Sequence, residues 1–178
     1  MTGRFLPAGH PVVYTIEQRS TVPADTWHKF IQAVIDIYYC LPCCMHPVNP
    51  RHNNENTRAF FLFHPDSSKN ADELVFSGKT NEGYRQRIIT VSRERTRNVL
   101  SLDEIETEHQ MSVDLFTRMV MLALHNICGE HFLVHSTAGA CSWALPLAIM
   151  NRACDDQFSG WEVPDVVQYA TSFSQENA

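Results

Sequence analysis

The two cysteines of Cys40-Leu-Pro-Cys43 are the residues of this sequence best suited to chemistry. Cysteines at this spacing can pass two electrons between a dithiol and a disulfide, and a helix terminus can lower the pKa of a thiol toward a reactive thiolate. The spacing therefore predicts redox chemistry. It equally suits zinc ligation, which requires a second pair of ligands elsewhere. A third interpretation is structural, with both cysteines buried as small hydrophobic residues.

A helix must position this motif. Apolar residues recur at helical spacing from Trp27 to Tyr38, and Asp25 or Thr26 is placed to cap the helix. The helix then delivers the cysteines to a bend that is rich in proline. The residues before it, Val12–Ile16, are β-branched and few, so they predict either a strand or a frayed helix.

A second strong helix is predicted after Ser112, where apolar residues repeat at helical spacing until Gly129. We expect this helix to pack against the first one. His125 and Asn126 lie near its C-terminal end. A third helix is predicted at Trp143–Arg152.

The middle of the chain changes character. Three short apolar or β-branched runs, separated by turn residues, predict a small antiparallel sheet: Ala59–Phe63, Glu73–Phe76 and Arg87–Val91. The fold class that follows is mainly α, a helical bundle with a small antiparallel β insertion, α+β overall. We expect one domain over residues 1–178, with the insertion at 51–109.

Composition narrows the classes of function. The net charge of -6 argues against electrostatic binding of the whole protein to nucleic acid or to an acidic membrane. No apolar run reaches the roughly 18 residues that a membrane span needs, and Met1–His10 lacks the layout of a signal peptide. The expected location is the cytoplasm. The basic stretch Arg85–Arg97 indicates either an edge that binds anions or nucleic acid, or a solvated edge that resists aggregation.

The motif and the two strong helices resemble the Erv/ALR family of FAD-dependent sulfhydryl oxidases. The resemblance is carried by the aromatic-rich helix that ends in Tyr39-Cys40-Leu-Pro-Cys43 and by the pair His125-Asn126 in the later helix. It covers a minor part of the chain. The family's second asparagine, three residues after this pair, is replaced by Gly129.

The resemblance implies a helical bundle that holds FAD. Cys40 would exchange with a dithiol protein substrate, and Cys43 would face the flavin, which passes two electrons to oxygen and forms hydrogen peroxide. His125 and Asn126 would line the cofactor, and Tyr14 lies in the stretch that contacts adenine in the family. The family often dimerises through helices, which makes a homodimer one option. It also occurs in large DNA viruses, which would place the chain in the host cytoplasm or the virion.

The competing hypothesis is a non-enzymatic interaction or regulatory protein, also compatible with a viral origin, that zinc stabilises. Cys128-Gly-Glu-His131 supplies a cysteine and a histidine three positions apart, which could complete a zinc site with Cys40 and Cys43.

Cys44, directly after Cys43, is interpreted either as a spectator or as a thiol that shuttles electrons toward Cys141 or Cys154. A hydrolase built on Cys141 with His125 or His135 has no supporting local motif.

Overall fold

The computed structural model describes residues 13–42, 72–77, 88–95, 100–103, 111–137 and 140–164. Within these ranges the chain forms three helices and five strands. In chain order they are β1 (Val13–Gln18), α1 (Ala24–Cys40), β2 (Glu73–Ser77), β3 (Ile88–Ser92), β4 (Leu100–Asp103), α2 (Met111–Cys128), β5 (Phe132–Ser136) and α3 (Cys141–Ala153).

Helix α1 is flanked by two prolines, Pro23 directly before its first residue and Pro42 two positions after its last. Its N-cap residue is Pro23, which makes no side-chain cap hydrogen bond, so neither Asp25 nor Thr26 is the cap that the sequence suggested. At the other end, the Leu41 N–H donates to the Ile37 carbonyl, and Leu41 itself is extended at φ -76° and ψ 146°. A residue that precedes proline is disfavoured in the helical region, which explains why α1 ends at Cys40.

Helix α2 lies at the centre of the fold and contacts α1, α3 and β5. It runs in the opposite direction to α1. The Tyr38 ring, near the end of α1, meets the Phe116 ring near the start of α2 at a centroid distance of 6.3 Å. Just beyond the end of α2, the His131 carbonyl accepts from the Arg19 N–H at 2.8 Å, only a few residues before α1 begins.

The larger sheet has the strand order β4-β1-β5, and both pairings are antiparallel. Tyr14 lies opposite both Leu102 and Ser136 across the two ladders. The buried residues of β5 alternate along the strand, as expected for a strand with one face on the core. Strands β2 and β3 form a separate antiparallel pair.

Gln18 connects the two sheets. Its side-chain amide donates to the Ser92 and Arg93 carbonyls, both at 3.1 Å. The Val22 N–H donates to the Arg93 carbonyl at 2.9 Å, and the Arg93 N–H donates to the Asp72 carbonyl at 2.7 Å. These bonds fasten the end of β3 to the segment that leads into α1.

Helix α3 contains Pro146 beyond its first turn. Proline has no N–H for the carbonyl four residues earlier, which is that of Ser142. The Arg118 guanidinium of α2 donates to this Ser142 carbonyl at 3.1 Å. A side chain from a neighbouring helix thus takes the place of the backbone donor, and the helix continues through the proline.

The fold is α+β, as predicted, and strands contribute to its core together with the helices. The predicted strands at Glu73–Phe76 and Arg87–Val91 are confirmed as β2 and β3, and the ambiguous Val12–Ile16 contains the start of β1. Strands β4 and β5 were not predicted. Strands also occur outside the interval 51–109, because β1 and β5 lie on either side of it. Strand β4, inside the interval, pairs with β1 outside it. The predicted strand Ala59–Phe63 lies outside the described residues.

Candidate functional site

Cys40 is the last residue of α1, and its side chain is exposed. Cys43 and Cys44 lie outside the described residues, so the geometry of the Cys40 and Cys43 pair stays a prediction. Helix α1 presents Cys40 with its C-terminal end, which carries the negative end of the helix dipole. It is the N-terminus of a helix that stabilises a thiolate, so the expected assistance from the helix terminus is absent here.

The partner of Cys40 within the described residues is Cys154. Their side chains are hydrogen-bonded, although the two residues are far apart in the sequence. Cys154 is 5% exposed, and its pKa is raised to about 12, chiefly by burial and then by the hydrogen bond to Cys40 and the charges of Cys40, Asp36 and Asp155.

The backbone after α3 fixes the position of Cys154. The Cys154 N–H donates to the Met150 carbonyl at 3.0 Å, and this bond closes the helix. Asp155 and Asp156 then adopt positive φ values of 49° and 60°, in the left-handed region that aspartate tolerates better than most residues. The chain turns there, and the Gln157 side chain donates to the Asp36 carboxylate of α1 at 3.3 Å. We call Asp36, Cys40, Cys154 and Gln157 the Cys40 end.

His125, Asn126, Cys128 and His131 form a second group, which we call the His131 end. Asn126 holds the segment that follows α3. Its side-chain amide donates to the Leu122 and Glu162 carbonyls, both at 2.9 Å, and its oxygen accepts from the Glu162 N–H at 2.8 Å. All of these partners are backbone groups, which gives Asn126 a structural role.

His125 and Cys128 are shielded from water to different degrees. Burial lowers the pKa of His125, and the charge of Glu162 partly opposes this shift. Burial raises the pKa of Cys128 to about 12, and the residue is 1% exposed. The Cys128 thiol is therefore protonated and inaccessible at neutral pH.

Among the zinc ligands suggested by the sequence, the described Cys40 is not brought to Cys128 or His131. Cys40 follows Tyr38, whose ring meets Phe116 near the start of α2. Cys128 is the last residue of α2 and lies about 18 Å further along this helix, at 1.5 Å per residue. Ligands of one tetrahedral zinc lie only about 2.3 Å from the ion. Instead, the His131 Nδ1 and the Ser20 hydroxyl are hydrogen-bonded to each other at 2.8 Å. Within the described ranges, no group of three or more candidate ligands could hold a metal ion.

The residues that the family resemblance gives to FAD do not fit a common site. Tyr14 is 3% exposed, and its ring packs edge-on against Trp143 at 5.5 Å with the Arg118 guanidinium above it at 5.7 Å. No face of this ring is open for stacking on adenine. Asn126 is occupied by backbone groups. At Gly129, a Cβ atom would lie 2.6 Å from the His125 carbonyl oxygen, so an asparagine does not fit at this position.

The described part of the basic stretch Arg85–Arg97 has local partners. The Arg93 guanidinium forms an ion pair with Asp72 at 2.5 Å and a second one with Glu94 at 3.5 Å. The Arg95 backbone N–H donates to the Thr21 hydroxyl at 3.2 Å. Arg93 thus secures the junction of β3 with the rest of the fold, a role that its sequence neighbours did not reveal.

Comparison with known proteins gives no assignment. In the part of the chain that the structure describes, none of the helices is both long and apolar enough to cross a membrane. The chain matches no family model, no curated protein and no solved structure.

Proposed function

We propose that this protein is a thiol oxidoreductase that forms disulfides in dithiol protein substrates, with Cys40 as the residue that reacts with the substrate. The observation that supports this proposal most strongly is the contrast among the described cysteines. Cys40 is exposed, whereas Cys128 and Cys154 are buried. Cys40 also lies at the end of a rigid helix, and the sequence places Cys43 close behind it.

The reaction follows thiol–disulfide exchange. A substrate thiolate attacks the sulfur of Cys40 in the disulfide with Cys43, and Cys43 leaves as a thiolate. The second substrate thiolate then attacks the substrate sulfur of this mixed disulfide, and Cys40 leaves. The substrate dithiol loses two electrons and two protons, and the protein disulfide becomes a dithiol. An external oxidant must afterwards restore the protein disulfide.

The surface beside Cys40 favours a protein substrate. Tyr39 is 68% exposed, and its ring packs edge-on against the buried Tyr38 at 5.5 Å. The ring therefore offers apolar area next to the reactive sulfur, and aromatic side chains of this kind are common in protein–protein contacts.

The nature of the oxidant is a separate part of the proposal. The resemblance to sulfhydryl oxidases supplies FAD and oxygen, and bound flavin would carry two electrons from the dithiol to oxygen. Because Tyr14 and Asn126 are engaged elsewhere, we assign no step to the flavin. A low-molecular-weight disulfide can restore the protein disulfide by exchange alone.

The test measures oxidation of dithiothreitol by the purified chain. Oxygen consumption is followed with and without added FAD, and release of reduced glutathione is followed with oxidised glutathione as the acceptor. We expect turnover with at least one acceptor, and its loss in Cys40→Ser and Cys43→Ser. Oxygen consumption by a protein with flavin absorbance would identify the oxidase, and turnover with glutathione alone would identify an exchange enzyme.

Cys128→Ala is the matched control, because it removes a cysteine that is buried at the other end of the helix pair. Absence of turnover with every acceptor would refute the enzymatic proposal. A colourless, inactive protein that carries stoichiometric zinc would instead support the interaction protein.

A further inference from the structure

Cys40 has a second thiol within reach that its sequence neighbourhood does not supply. Gln157 donates to Asp36 at 3.3 Å, which places the residues after α3 against the last turns of α1. Cys40 and Cys154 lie on these two neighbouring segments, and Cys40 interacts with the Cys154 thiol and helps to raise its pKa. A disulfide requires the two sulfur atoms at about 2.05 Å, so joining them calls for a local movement of these segments.

Both sides of this contact are held by independent interactions. On one side, Ile37 and Tyr38 are buried and fix the last turn of α1 before Cys40. On the other side, Cys154 follows α3 directly and precedes the turn at Asp155 and Asp156. The hydrogen bond between Gln157 and Asp36 joins this turn to α1 one turn before Cys40. The contact is therefore part of the fold.

We propose that Cys154 is the resolving thiol of Cys40, so that oxidation joins α1 to α3 through a reversible Cys40–Cys154 disulfide. This inference builds on the proposed function, because it gives the reactive Cys40 sulfur a second disulfide partner besides Cys43. The two partners differ in accessibility. Cys154 is buried, so an external disulfide reacts with the exposed Cys40 and not with Cys154.

The reaction has two exchange steps with a low-molecular-weight disulfide as the oxidant. The exposed Cys40 attacks this disulfide, forms a mixed disulfide with one half and releases the other half as a thiol. Cys154 then loses its proton and attacks the Cys40 sulfur, which releases the second half as a thiol. The two cysteines lose two electrons and two protons, and one molecule of oxidant becomes two thiols.

The surroundings of Cys154 make the second step the slow one. Burial and the charges of Asp36 of α1 and Asp155 of the turn keep the thiol protonated at neutral pH, and Cys40 adds to this shift only while its own sulfur is a free thiol. The attacking species is the thiolate, whose share rises about tenfold per pH unit below the pKa. We therefore expect the mixed disulfide on Cys40 to accumulate first and to convert about 100-fold faster at pH 9 than at pH 7.

The experiment maps disulfides by mass spectrometry in the full chain after treatment with oxidised glutathione. In the Cys43→Ser variant we expect the peptide that contains Cys40 to be linked to the peptide that contains Cys154. In a Cys43→Ser variant that also carries Cys154→Ser, we expect glutathione to remain on Cys40. Cys128→Ala should keep the link.

Glutathione that stays on Cys40 while Cys154 remains a thiol would overturn the inference. If the Cys43→Ser variant does not fold, mapping of the wild-type chain decides, because a Cys40–Cys154 peptide must then be found beside any Cys40–Cys43 peptide. Oxidation of the chain in guanidinium chloride is the reference, in which preference for Cys154 should vanish.

Turnover of dithiothreitol by the wild-type chain, with its disulfides mapped in the same sample, separates this inference from the proposed function. A Cys40–Cys154 disulfide in a protein without turnover would retain the inference and refute the enzyme. Turnover in a protein that never forms this disulfide would do the reverse.

Discussion

The Cys40 end and the His131 end both carry cysteines and polar residues that suggest chemistry, yet the fold treats them differently. At the His131 end, Asn126 and His131 bond to groups that hold the fold together, and Cys128 is buried. At the Cys40 end, one sulfur is exposed and a second thiol is hydrogen-bonded to it. Residue types alone do not distinguish a reactive site from a structural junction. The two are distinguished by whether a side chain is exposed to solvent and by how many of its polar atoms already form hydrogen bonds.

The largest expected difference between the two ends is in the rate of alkylation. In the native protein we expect iodoacetamide to modify Cys40 on the order of 1,000-fold faster than Cys128. The pKa of Cys128 is raised to about 12, and the residue is 1% exposed, so little thiolate is present or accessible at neutral pH. Mass spectrometry of digested samples gives both rates. The two rates should converge in guanidinium chloride, and equal rates in the native protein would contradict the comparison.

Stability should depend more on the polar residues of the His131 end. Asn126→Ala removes three hydrogen bonds to backbone groups and should lower the free energy of unfolding by about 2–3 kcal/mol. Gln157→Ala, the matched amide at the Cys40 end, removes one exposed bond to Asp36 and should cost less than about 0.5 kcal/mol. Urea unfolding measures both values. Similar costs for the two variants would remove the distinction.

Helix α3 leads to the Cys40 end, because Cys154 follows its last residue. Near the start of the helix, Arg118 of α2 donates to the Ser142 carbonyl. Arg118→Met should lower the free energy of unfolding by about 1–3 kcal/mol, because the Ser142 carbonyl loses its guanidinium donor. In a Pro146→Ala background the cost should be smaller, since alanine restores an N–H four residues after Ser142. Urea unfolding of the wild-type chain, the two single variants and the double variant completes this double-mutant cycle. Equal costs of Arg118→Met in both backgrounds would show that the two donors do not substitute for each other.

The smallest expected effect is a dependence of stability on acid at the His131 end. Burial lowers the pKa of His125 in the folded protein below its value near 6.5 in the unfolded chain. The contribution of His125 is therefore complete above about pH 6.5 and is lost as the pH falls through the folded-state pKa. The melting temperature should decline from pH 7.5 to pH 5, and His125→Gln should make this decline shallower. An unchanged pH profile in His125→Gln would contradict the prediction.

The sequence was informative where one pattern extends over many residues. Helices α1 and α2 follow from apolar residues at helical spacing, and β2 and β3 follow from β-branched runs between turn residues. Strand β5 was not predicted, because Phe132–Ser136 is short and has His135 among its apolar residues. Its alternation of Phe132, Val134 and Ser136 on the buried face was the available signal. Strand β4 has only four residues, too few for a clear period.

The candidate site could be predicted only in part, for a related reason. The importance of Cys40 follows from its spacing to Cys43. Its contact with Cys154 depends on how α3 and the following turn pack against α1, and no local pattern encodes a contact between residues so distant in sequence. The backbone role of Asn126 likewise requires the return of the chain to Glu162.

The proline in α3 has a consequence for the order in which the chain assembles. A helix normally satisfies its own carbonyls, so its turns can form before it meets its neighbours. Here the carbonyl of Ser142 takes a donor from Arg118, which is 24 positions earlier in the chain. The first turns of α3 thus gain their full stability only after α2 is in place, and the arrival of Cys154 beside Cys40 follows from that docking. Formation of the Cys40–Cys154 disulfide would then report on the docking of α3 against α2 as a late step of folding.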